Sequence, residues 1–148
     1  MEIRKERDTL FLDDRCFSDL DLFVDRALEI VTHYSPYVIV SGYVAILFGR
    51  TRSTEDIDIL IPFCDVSMFV LIHDEYIRSG YEFLNAEDAF GLFSLLTSGS
   101  GIRVCEKDLF IPNIEIKFIK NETDDYSFQN RIPLIITDRT FYISPLEI

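Results

Sequence analysis

The chain has 148 residues, 48% of them apolar and 14% aromatic, and a formal charge of −12. That length and apolar content fit one domain with a real core and exclude a disordered chain. Only 14 lysines and arginines are present and no basic run, which disfavours a protein built to grip a nucleic-acid backbone. Acid excess by itself speaks for solubility rather than for a function. No window reaches the ~18 uninterrupted apolar residues of a membrane helix. The opening MEIRKERDTL is charged and lacks the apolar core of a signal peptide. Cys16, Cys64 and Cys105 are scattered, match no metal-ligand spacing and cannot all pair, so a reducing cytoplasm is expected.

In chain order, residues 1–14 read as a polar lead with one apolar cluster, Leu10-Phe11-Leu12, expected as a short edge strand. Ser18 is an N-cap candidate, and Asp19 and Asp21 suit a first helical turn. Leu20, Phe23, Val24, Ala27, Ile30 and Val31 recur at steps of three and four, which predicts an amphipathic helix over 19–33. His33 and Tyr34 close it and Pro36 bars its continuation; a histidine there is read as a cap rather than a catalytic base. A strand over 37–41, a short helix over 42–48 stopped by Gly49, and a strand over 56–61 ended by Pro62 come next. Asp65 caps a helix over 66–79 with a stripe of Met68, Phe69, Ile72, Tyr76 and Ile77; Gly80 ends it and His73 and Asp74 fall on its outer side.

A strand over 81–84 and a helix over 86–97 weakened by Gly91 follow. Ser98-Gly99-Ser100-Gly101 lacks the fixed spacing of a phosphate-binding loop and reads as a connection. A strand over 102–105 and a polar bend at Glu106-Lys107-Asp108 lead to residues 113–120, where Ile114, Ile116 and Phe118 share one face and Glu115 and Lys117 the other. A short helix over 124–130 and a hairpin of strands over 133–137 and 140–144 around Asp138-Arg139 close the order. The pattern predicts a mixed sheet with flanking helices, an α/β (α+β) class, in a single domain over 1–148.

Chemistry concentrates between residues 37 and 62. Val38-Ile39-Val40 ends in the small pair Ser41-Gly42 with a helix at once, which offers free backbone N–H groups to a phosphate. Arg50 and Arg52 follow in a polar loop, fit to neutralise phosphate charge. In Asp56-Ile57-Asp58-Ile59 the two carboxylates lie on one strand face, where they repel unless a proton or cation sits between them. Such an oxygen-rich pair suits Mg²⁺.

This constellation resembles the nucleotidyltransferase superfamily signature, hG[GS] followed by Dh[DE]h, and within it the AbiEii-like group, whose core reads roughly GGxAxxxxGRxRxTxDID. Val40-Ser41-Gly42-Tyr43-Val44-Ala45 carries the first part, with Ser41 where that group has glycine. Gly49-Arg50-Thr51-Arg52-Ser53-Thr54-Glu55-Asp56-Ile57-Asp58 carries the second. The resemblance is confined to this stretch. It implies a nucleotidyltransferase fold and transfer of an NMP from an NTP to a hydroxyl acceptor, whether RNA, protein or small molecule. It also implies Mg²⁺ on Asp56, Asp58 and a third carboxylate on a neighbouring strand, for which Glu115 is the choice over Asp108 and Glu106. Ser41, Gly42, Arg50, Arg52 and Thr54 would meet the nucleotide. A toxin-like role with an antitoxin-like protein partner is implied by the group.

Two rival readings stand beside this one: a nucleotide-binding regulatory module without turnover, and a structural domain whose D-x-D caps a strand end. Ser144-Pro145-Leu146-Glu147-Ile148 reads as the start of a further helix. On that reading the chain is a catalytic core without its usual C-terminal helices, one of which bears a nucleotide-holding lysine in the AbiEii-like group. Leu146 and Ile148 would then fray or pack against another copy, giving a homodimer.

Overall fold

A computed structural model of the protein describes residues 2–13, 15–40, 42–48, 56–85 and 87–145. They form β1 (Glu2–Glu6), β2 (Thr9–Asp13), α1 (Asp19–Thr32), β3 (Val38–Val40), α2 (Gly42–Leu47), β4 (Asp56–Ile61), α3 (Val66–Arg78), β5 (Tyr81–Phe83), α4 (Ala89–Thr97), β6 (Ile102–Glu106), β7 (Asn113–Phe118), α5 (Glu122–Gln129), β8 (Ile132–Ile136) and β9 (Arg139–Ile143). The strands join one mixed nine-stranded sheet in the order β1-β2-β8-β9-β3-β4-β7-β6-β5. The class is α+β, as the element order predicts.

Strand alternation decides how the helices are shared between the two faces. Ile39, Ile57, Ile59, Ile61, Ile114, Ile116 and Ile143 point to one face. There they merge with Val24, Leu28 and Val31 of α1, Tyr43 and Leu47 of α2, Phe69 and Ile72 of α3, and Leu92 and Leu96 of α4 in one core. Among the described helices, α5 is the one on the other face, where its Phe128 covers Val38 and Leu60. Among the described residues, four helices against one leave much of that second face uncovered along β4, β7 and β6.

Caps act where the sequence places them. Ser18 accepts from Asp21 N–H and Asp21 accepts from Ser18 N–H, a reciprocal capping box that starts α1. Asp65 accepts from Met68 N–H at the start of α3, and Gly80, at φ +88°, turns the chain out of it in a conformation that costs a side chain dearly. At the end of α1, Glu75 of α3 accepts from His33 Nδ1 at 2.6 Å and from Tyr34 Oη at 2.7 Å. His33 therefore ties two helices together. Phe69, Ile72 and Tyr76 make the buried stripe of α3, whereas Ile77 faces outward. His73 is half-buried, not on the outer side: its ring stacks on Phe83 with centroids 5.3 Å apart.

Several expectations shift. Residues 2–6 are a strand, although every residue of it is exposed and no hydrophobic alternation marks it. It exists by pairing: β1 lies antiparallel on β2, fastened by Arg4 Nε to Asp13 at 3.0 Å. The Leu10-Phe11-Leu12 strand is consequently not at an edge, since β8 runs parallel on its other side. α4 starts at Ala89 because Asp88 caps it through Gly91 N–H, and residue 86 lies outside the described residues. β7 stops at Phe118, and Asn121 caps α5 two residues earlier than expected. The hairpin turn is Thr137-Asp138, with Ile136 opposite Arg139. Ser144 N–H donates to Ile39 carbonyl at 2.9 Å, extending β9 beside β3; the helix expected from Leu146 to Ile148 lies outside the described residues. No helix among the described residues is long and apolar enough to cross a membrane.

Candidate functional site

Three adjacent strands build the open face. β4 pairs parallel with β7 in a register that sets Asp58 opposite Glu115 and Asp56 opposite Asn113. Directly paired residues share a face, and strands lie roughly 4.8 Å apart. Asp56, Asp58, Asn113 and Glu115 therefore stand together on the side away from the helical core. β6 pairs antiparallel with β7 and sets Arg103 opposite Glu115. Lys117, two residues beyond Glu115, completes the set. On the other flank β3 ends at Val40 opposite Asp58, so α2 begins with Gly42 at the Asp56 end of β4.

Ion pairs link these side chains. Arg103 Nε donates to Glu115 Oε2 at 3.1 Å, and its Nη2 lies 3.4 Å from Asp56 Oδ2. Lys117 Nζ lies 3.3 Å from Glu115 Oε1. Burial alone would raise the Glu115 carboxyl; the hydrogen bond from Arg103 and the charge of Lys117 outweigh it and hold it below the ordinary range. The guanidinium is pushed up in turn, by its bond to Glu115 first and by Asp56 second. Behind Glu115 the backbone is close: a Cβ on Gly101 would stand 2.7 Å from Glu115 Cγ and 2.8 Å from its Cδ. Glycine there lets the glutamate lie flat against the β6 entry.

Among the described residues no group of three or more His, Cys, Asp or Glu is gathered so as to hold a metal ion. The donor chemistry nevertheless fits Mg²⁺. The carboxylates are hard oxygen donors on one face. On the residue opposite Asp56, Asn113, Oδ1 is buried without a hydrogen-bond partner among the described residues, while its amide nitrogen reaches Phe110 carbonyl at 3.4 Å. An orphaned buried acceptor costs about 1–3 kcal/mol and calls for a donor or a cation. What closes the arrangement is Arg103, which already spans two of the carboxylates.

Of the residues singled out from sequence, the structure sets Asp56, Asp58 and Glu115 on one sheet face, without gathering the three into a metal-holding group, and sets Gly42 at the same end. Ser41, Arg50, Arg52 and Thr54 lie outside the described residues. Asp108, the alternative third carboxylate, sits in the turn after β6, where its N–H donates to Glu82; Glu106 pairs with Tyr81 at the β5 edge. Neither approaches the pair. Sequence reasoning missed Arg103, Asn113 and Gly101. The alternation of Ile102, Arg103 and Val104 marks Arg103 as outward-facing, but nothing in it names Glu115 as its neighbour.

Gly101→Ala tests the close approach. The added methyl is expected to swing Glu115 away from Arg103 with at most ~1 kcal/mol lost, because the side chain gives more easily than backbone. Binding that depends on the carboxylate should fall about tenfold, as ~1.4 kcal/mol of interaction is lost. Thermal melts with a Mn²⁺ titration would check both, and unchanged binding would show that the Glu115 position is irrelevant.

No protein-family model matches the chain, and no curated protein matches it either.

Proposed function

We propose that the protein is a Mg²⁺-dependent nucleotidyltransferase with the corresponding fold, moving an NMP from an NTP to a hydroxyl acceptor. The observation that carries this reading is the register that sets Glu115 beside Asp58, with Asp56 on the same face. A D-x-D strand flanked by a carboxylate-bearing strand is what the resemblance implies. The position of Gly42, at the end of β3 next to these groups, supports it further.

The reaction asks little covalent help of a protein; positioning and charge neutralisation do most of the work. Asp56, Asp58 and Glu115 would hold the ion, which would supply positive charge to offset that of the transferring phosphoryl group. The acceptor oxygen attacks the α-phosphorus, a new O–P bond forms, and the bond to the bridging oxygen breaks to release pyrophosphate. The hydroxyl proton passes to a carboxylate. Asp58 and Glu115, directly opposite each other in the β4–β7 register, are the two carboxylates placed to take it. Ser41, Gly42, Arg50, Arg52 and Thr54 take the nucleotide on this reading. A toxin-like role, an antitoxin-like protein partner and a homodimer belong to the same proposal.

One observation favours a second reading, a nucleotide-binding module with weak or absent turnover: Arg103 and Lys117 already neutralise much of the carboxylate charge. Pyrophosphate release from each of the four NTPs with Mg²⁺, against RNA, protein and aminoglycoside acceptors, separates the two. Release with any acceptor supports the transferase. Nucleotide binding without release supports the module, and absence of Mg²⁺-dependent binding would overturn both.

A further inference from the structure

Arg103 occupies a peculiar place. It lies on β6, opposite Glu115, yet its guanidinium reaches past β7 to Asp56 on β4. It thus bridges the two outer members of the carboxylate set. A divalent cation binding those oxygens would need them at about 2.0–2.1 Å from its centre. A guanidinium holding the same oxygens at 3.1 and 3.4 Å cannot remain between them. The two cations compete for one pair of ligands.

Mobility is unequal among the partners. Glu115 is only 15% exposed and lies against Gly101, so it has little room on that side. The Arg103 backbone is fixed, its N–H donating to Asn85 Oδ1 at 2.9 Å and its carbonyl accepting from Leu84 N–H at 2.8 Å. Its side chain is 46% exposed and long. Arg103 is the member free to swing out, and its root stays on the same open face when it does.

Resting on the transferase reading above, we propose that Arg103 is an exchangeable counter-cation and nucleotide-positioning residue. It holds Asp56 and Glu115 before substrate arrives, yields them to the metal, and then pairs with phosphate oxygens of the incoming triphosphate. Guanidinium suits both duties, since its planar fork matches carboxylate and phosphate alike. The consequence is coupling. Metal alone binds weakly because it must displace Arg103 without compensation, whereas metal with triphosphate binds well because the displaced guanidinium finds new partners.

The test uses Mn²⁺ alone and Mg²⁺ with inorganic triphosphate as probes, on the wild type, Arg103→Gln, Arg103→Lys and the double variant Asp56→Asn, Asp58→Asn. Mn²⁺ affinity is read by electron paramagnetic resonance, and triphosphate affinity by calorimetry at saturating Mg²⁺. Arg103→Gln is expected to bind Mn²⁺ about tenfold more tightly and triphosphate about tenfold more weakly, a coupling loss of ordinary size. Arg103→Lys, charged but unable to bridge, should fall between on both readings and guards against misfolding of the glutamine variant. If Arg103→Gln and Arg103→Lys leave Mn²⁺ affinity within twofold while the double aspartate variant loses it, the exchange idea fails and the site stands. If the double aspartate variant binds Mn²⁺ as the wild type does, the transferase reading itself falls. A purely structural Arg103 would lower stability without moving the two affinities in opposite directions, and that result would also overturn the proposal.

Discussion

Replacing Asp56 and Asp58 together by asparagine is expected to abolish Mg²⁺-dependent nucleotide binding and to cut NMP transfer by about a thousandfold or more, while the protein stays folded. The direction follows from placement: both carboxylates stand on the open face, opposite Asn113 and Glu115, and neither is part of the helical core. The magnitude follows from charge. A metal stabilises a phosphoryl-type transition state by several kcal/mol, and about 4 kcal/mol is a thousandfold in rate. In the wild type, Mg²⁺ with NTP at a hundred times its dissociation constant should add about 2.7 kcal/mol of stability, roughly 8 °C for a chain of this size. The double variant should show none of that rise. Its own melting point should move little, within ~1 kcal/mol, because two opposing effects meet. The aspartate pair no longer repels, but Arg103 loses its ion pair with Asp56. Retained Mg²⁺-dependent NTP binding in the double variant would remove the aspartates from the site.

The site's main line is legible in the sequence because period-two alternation is local. Asp56 and Asp58 must share a face wherever the strand lies, and Ile57 and Ile59 must take the other. Helix starts were legible for the same reason: Ser18 and Asp65 act on N–H groups three residues away. Strand neighbours are a different matter. β2 pairs with β8 more than a hundred residues later, and β4 pairs with β7 across α3, β5, α4 and β6. Alternation tells which face a residue takes but not which strand it meets. Hence Glu115 was placed by resemblance, whereas Arg103 was not placed at all. The β1 strand escaped notice because its fully exposed residues follow the hydrogen-bonding needs of β2 rather than any pattern of their own.

The largest expected loss of stability comes from a carboxylate that the resemblance never touches. Asp21 is fully buried at the start of α1, where it accepts from Ser18 N–H at 3.0 Å, from Tyr43 Oη at 2.6 Å and from Arg15. Burial would raise its carboxyl, but Arg15, Tyr43 and the Ser18 N–H together outweigh that and hold it below the ordinary value. Tyr43 is the second residue of α2, so this cluster clamps the helix that follows β3 to the start of α1. Asp21→Ala leaves a buried tyrosine hydroxyl and a guanidinium without their acceptor and removes half of the capping box. The cost is expected at about 3–5 kcal/mol, the range for breaking a buried charged pair. Tyr43→Phe should cost less, about 1.5–3 kcal/mol, since only one hydrogen bond to the charged group is lost. Acid supplies an independent check. A carboxylate lowered on folding contributes stability that is complete above its unfolded value, near 3.9, and is lost as pH falls through the folded one. Between pH 6 and 2.5, therefore, the stability gap between wild type and Asp21→Asn should narrow steadily, with most of the change below about pH 4. Denaturant melts at four or five pH values measure it. A gap that stayed constant across that range would mean that Asp21 stabilises α1 and α2 without its charge.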